Sequence, residues 1–217
     1  MDLGRFYVSA GYVLLVPHRT GHGQSPGEYF IERLGPELLT APRDRAIRAV
    51  IEFHERQLRD TLAAFEWLRK QPFVDGDRVS MSGVSHGGIQ VLLAAEAGTA
   101  AKAFVPFAPG ATGWDGNPEL QERLALAVER ASAPIFLIQA ANDHSLGPSQ
   151  TLGAALARKG GRNRVRVYPA FGASTEAGHG AFACQGMEVW GGDVLRFVDE
   201  ATTHQSAVAA NPIERAG

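Results

Sequence analysis

The sequence predicts an α/β protein, with a mostly parallel sheet of about five strands and helices on both faces. Two observations carry this. Short apolar runs of strand length recur along the chain and are followed by helical patterns, the signature of βαβ units. One of these runs ends on a glycine-flanked serine, "GVSHG" (83–87), and a helical pattern starts at once. The 217 residues suffice for one substantial core.

In chain order, "YVLLVP" (12–17) is the first run, closed by Pro17. A long helix over 44–70 follows, with Ile47, Val50, Ile51, His54, Leu58, Leu62, Phe65 and Leu68 at three- and four-residue spacings. Pro72 stops it, and "DGD" (75–77) turns the chain into "RVSMS" (78–82). The strands "AFVPFA" (103–108), "PIFLIQA" (134–140) and "VRVYP" (165–169) come next. Most lack strict alternation, as strands covered on both faces do. Helices are expected over 87–97, 118–131, 148–159 and 187–201. Residues 1–203 read as one domain, with 26–45 and 110–133 as places for small cap elements and 204–217 as a loosely packed tail.

Bulk properties exclude several classes. The formal net charge of −2 leaves no nucleic-acid footprint. A single cysteine, Cys184, rules out a disulfide within the chain and reads as a small buried side chain. No apolar stretch approaches the roughly 20 residues of a membrane span. The first apolar run stops at Pro17 without a cleavage site, so a cytoplasmic protein is expected.

Gly83, Ser85 and Gly87 occupy the fixed places of G-x-S-x-G. A serine on a sharp strand-to-helix bend stands above the carboxyl edge of the sheet. Side chains at the two glycines are expected to collide there. The N–H of His86, at the helix start, is aimed at an oxyanion forming beside the serine. A serine hydroxyl needs a base oriented by an acid, in the chain order Ser, Asp, His. Asp143 follows the strand 134–140, and His179 lies in the Gly-rich loop after 165–169. Ser85, Asp143 and His179 are therefore the expected triad. Asp115 is the alternative acid, and Asp143 is then a turn residue.

The stretches "GYVLLVPHRTGHGQSPG" (11–27), "DTLAAFEWLRKQPFVDGDRVSMSGVSHGG" (60–88), "PIFLIQAANDHSLGP" (134–148) and "GHGAF" (178–182) resemble the α/β-hydrolases. The branch is that of dienelactone-hydrolase-like and prolyl-oligopeptidase-like serine hydrolases. The resemblance implies ester or amide hydrolysis with no metal or organic cofactor. True dienelactone hydrolases use cysteine where this chain has Ser85, so that lactone activity is not implied. In the family, "VPHRTGHGQS" follows the fourth strand, and the strand before it leads to a loop that supplies a second oxyanion donor. Relative to that pattern the first three strands are missing, which leaves open a naturally minimal hydrolase or a sequence that begins late. If the chain is minimal, the strand 12–17 is expected to pair with 78–82 and to bring His18, Arg19, Thr20 and Gly21 over Ser85. An open edge strand also invites pairing with a second copy, as a homodimer.

Other residues have plainer readings beside the functional ones. His18, Arg19 and His22 lack nearby carboxylates for a metal and read as a loop at the pocket rim. The side chain of His86 lines the pocket or its rim. His144 is a packed or exposed neighbour of the acid. Trp114 is either a wall of an acyl pocket or core. The expected activity is that of a carboxylesterase on small to medium esters. An exopeptidase or amidase, and a non-catalytic binding module, are the alternatives.

Overall fold

The computed structural model describes residues 3–29, 32, 35 and 40–209, with side chains as far as residue 203. Four strands form the sheet: β1 (Met81–Val84), β2 (Phe104–Phe107), β3 (Phe136–Ala140) and β4 (Arg164–Tyr168). Their order is β1-β2-β3-β4, and all neighbours run parallel. The helices are α1 (Leu3–Ser9), α2 (Arg43–Arg69), α3 (His86–Glu96), α4 (Pro118–Arg130), α5 (Gly147–Lys159), α6 (Phe182–Gln185) and α7 (Met187–Ala209).

Each strand except the last feeds a helix that returns to the next, so α3, α4 and α5 share one face. That face is an apolar core of Leu92, Leu124, Val128, Leu137 and Leu152, joined by Phe65 of α2. The opposite face holds Val105, Phe107 and Ile138 against Trp190, Val194 and Phe197 of α7. α1 seals that side: the Phe6 ring meets Trp190 edge-on at 5.4 Å. β3 is buried along its whole length, which is why its sequence shows no alternation.

The sheet corrects one expectation. Residues 12–17 form no strand, and the sheet has four strands among the described residues. The segment has no regular structure, and Val13, Leu14 and Val16 are exposed. Between it and β1 lies a cavity of about 730 Å³, walled by α2 and α7 as well. Apolar composition favours burial, but a strand also needs a bonded neighbour, and among the described residues β1 is paired with β2 alone.

Residues 110–133 form a tight turn and then α4, which packs on α3 and α5 as a layer of the sandwich. The cap expected there is a regular layer helix, and the one expected at 26–45 lies in part outside the described residues, as does most of the tail 204–217. Cys184 is exposed on the short helix α6, a second correction.

Candidate active site

Because the sheet is parallel, the ends of β1, β3 and β4 open onto one edge, and each is followed by one of the expected site residues. At the end of β1, Ser85 adopts φ 56° and ψ −113°. A non-glycine residue rarely takes this backbone, and its cost is on the order of 1–3 kcal/mol. Local bonds hold it there. The Ser85 N–H donates to the Phe107 carbonyl at 2.9 Å, while its own carbonyl accepts from Ile89 and Gly110.

The glycine at 83 is required. A Cβ there would stand 2.6 Å from the carbonyl carbon and oxygen of Gly87. Gly87 is different: a Cβ would meet nothing within 4 Å, so the expected collision does not occur at that position. The second crowded glycine is Gly88, whose Cβ would lie 2.9 Å from the Phe107 carbonyl oxygen. It lets α3 lie against the end of β2.

Asp143 follows β3, and its side chain is fully buried. It is a pure acceptor here. Oδ1 takes the His144 N–H at 2.7 Å and His179 Nδ1 at 2.8 Å, and Oδ2 takes Gln139 Nε2 at 3.0 Å. Gln139 is itself locked, because its Oε1 accepts both the N–H and the hydroxyl of Ser149. A carboxylate so oriented fixes the histidine tautomer: the proton sits on Nδ1, and Nε2 keeps a lone pair.

His179 sits on a widened turn, Ala177–Ala181, a π-type bulge in place of the expected open loop. Asn142 holds this turn. Its amide donates to the Phe171 and Ser174 carbonyls, and its Oδ1 accepts the Phe171 N–H. Gly178 lies directly on that amide, where a Cβ would be 2.4 Å from Oδ1. His144 rests edge-on against His179 at 5.1 Å. The alternative acid, Asp115, accepts from the Ser145 hydroxyl.

The His86 side chain turns from the carboxyl edge toward α2. Its Nε2 lies 2.8 Å from Gln57 Oε1, which also accepts from Arg19 Nη1 at 2.7 Å. A guanidinium only donates, so the Gln57 atom facing both is oxygen, and His86 carries its proton on Nε2. The His54 and His86 rings lie 4.2 Å apart. Burial above all, helped by the nearby positive charge of Arg19, holds His86 down to about 2. Burial, then Arg19, lowers His54 to about 4. Both rings are neutral. Gln57 thus ties the 18–22 loop to the serine bend.

That loop does not supply the expected donor from Thr20 or Gly21. The Thr20 N–H goes to Asp60 at 2.7 Å, and the Gly21 N–H goes to the Pro26 carbonyl. His18 faces its own loop, accepting the Gln24 N–H. Trp114 is 2% exposed and belongs to the core, its ring filling the space beside Gly147. No group of three or more candidate metal ligands occurs among the described residues, and none of their helices is long and apolar enough to cross a membrane. Gln57, Gln139 and Asn142 escaped the sequence reading. Only Gln57 left a trace, as a polar residue inside the apolar stripe of α2.

A parallel α/β sheet with a strained serine bend on the same edge as a carboxylate-held imidazole defines an α/β-hydrolase of the serine-hydrolase class. The chain belongs to the X-Pro dipeptidyl-peptidase family (S15 family), whose profile matches residues 2–121. Among solved structures it is similar to acetyl xylan esterase 1 from Thermoanaerobacterium sp. JW/SL YS485. The TM-score is 0.55 and the identity 17%, over 91% of this chain and 68% of that one. It is also similar to esterase B from Lactobacillus Rhamnosis (HN001), with a TM-score of 0.54 and 19% identity, over 72% of this chain and 64% of that one. Pyrococcus horikoshii acylaminoacyl peptidase matches at a TM-score of 0.47 and 20% identity, over 61% of this chain. The chain spans 26% of that peptidase's length. No curated protein matches the chain.

Proposed function

We propose that the protein is a serine esterase that cleaves small to medium carboxylic esters through an acyl-enzyme on Ser85. The observation that carries the reading is the pair His179–Asp143, bonded at 2.8 Å on the sheet edge that also carries the strained Ser85. In this mechanism Ser85 Oγ attacks the ester carbonyl, and its proton passes to His179 Nε2. Asp143 stabilises the imidazolium. The tetrahedral oxyanion is met by the His86 N–H at the start of α3. Collapse breaks the C–O bond, and the alcohol leaves with the proton from His179. Water, deprotonated by the same imidazole, then releases the acid and restores Ser85. The site needs no metal and no organic cofactor for these steps.

The family match over residues 2–121 favours a second reading, cleavage of an amide after an X-Pro pair. An ester needs only the groups named above, whereas an exopeptidase must also hold the substrate's terminal amine. Two substrates separate the readings: short-chain nitrophenyl esters and X-Pro-nitroanilides. Turnover of the esters that Ser85→Ala abolishes supports the esterase. Turnover of the anilides alone replaces it with the peptidase, and undiminished ester activity in Ser85→Ala removes both.

A further inference from the structure

The lone pair on His179 Nε2 is already engaged. Thr112 Oγ1 lies 3.3 Å from it. Since Nδ1 holds the proton against Asp143, Nε2 is the acceptor and the threonine hydroxyl is the donor. One lone pair serves one well-aligned donor, and this is the lone pair that Ser85 needs. Thr112 is exposed, yet its backbone is fixed. It lies in the turn Ala111–Gly113, entered through Gly110 at φ 69°. The Gly110 N–H is bonded to the Ser85 carbonyl, and the Ala111 N–H to that of Ala108. The turn is thus tethered to the serine bend itself, and its hydroxyl is held on the base.

We propose that Thr112 is a positioning residue that keeps His179 Nε2 occupied until an incoming substrate takes over the threonine hydroxyl. This rests on the serine-hydrolase reading above. A carbonyl or alkoxy oxygen entering the rim accepts the Thr112 hydroxyl, the imidazole is freed, and Ser85 donates to it in turn. The threonine makes the base available to a bound acyl group and restrains it towards one that offers no acceptor there.

A dialkylphosphinic fluoride, which has no alkoxy oxygen and whose one P=O oxygen goes to the His86 N–H, tests this with the full chain. In labelling, Ser85 Oγ forms a bond to phosphorus, the P–F bond breaks, fluoride leaves, and the serine proton passes to His179 and then to solvent. Thr112→Val and Thr112→Ala remove the donor; Thr112→Ser keeps it. The two donorless variants are expected to label about two- to tenfold faster than the parent, the range a neutral hydrogen bond of modest net strength allows. Thr112→Ser is expected to stay within about twofold of the parent. A structural role predicts the opposite sign, slower labelling. Equal or slower labelling of both donorless variants, or equal acceleration in Thr112→Ser, overturns the role of Thr112 while leaving the hydrolase intact. Absence of label on Ser85 in the parent overturns the hydrolase reading and this inference with it.

Discussion

Acidification destabilises this fold through two buried imidazoles. His54 and His86 sit with their rings 4.2 Å apart. Their folded values are held at about 4 and about 2, against an ordinary 6.5. A depressed folded value means that the unfolded chain binds the proton first, so stability is complete above 6.5 and is lost as pH falls towards the folded values. At about pH 5 an unfolded imidazole is roughly 97% protonated, while folded His54 is roughly 10% protonated and folded His86 essentially neutral. Integrated from about pH 7 to about pH 5, each histidine removes on the order of 2 kcal/mol from the folding free energy. Urea unfolding at the two pH values measures the loss directly. His54→Leu is expected to recover about half of it, the share that belongs to His54 itself. An identical pH dependence in parent and variant would refute the claim that His54 is neutral by burial.

Three further outcomes follow from the site. Gly83→Ala drives a methyl into the Gly87 carbonyl and should cost about 1–3 kcal/mol in thermal unfolding, whereas Gly87→Ala, which meets open space, should cost far less. Asp143→Asn puts an amide among three donors while keeping the shape; turnover should fall by about three to four orders of magnitude with the circular dichroism spectrum intact. Gln57→Leu strands the donors of Arg19 and His86 together, and calorimetry should show a loss of about 1–3 kcal/mol.

Much of this arrangement could be read from the sequence because it lies in local patterns. The core stripe of α2, the apolar β3 and the bend at Ser85 each declare themselves within a dozen residues. The order of Ser85, Asp143 and His179 follows from the strands that precede them. Residues 12–17 misled because "YVLLVP" carries strand composition, while strand formation depends on a partner that sequence alone does not place. The same limit hid Gln139 and Asn142. Each is a polar side chain whose function is to orient a neighbour in space, Asp143 in one case and the turn of His179 in the other. Thr112 meets His179 across 67 positions of chain, and no spacing rule spans that distance.

The strand that ends at Ser85 is zipped along one flank, to β2, and borders a hollow on the other. Its footing therefore comes from beneath, where α3 nestles against β2 through the bare backbone of Gly88. A methyl group at that hidden seam would press on the Phe107 carbonyl, the acceptor of the Ser85 N–H, and so tilt the platform on which the hydroxyl stands.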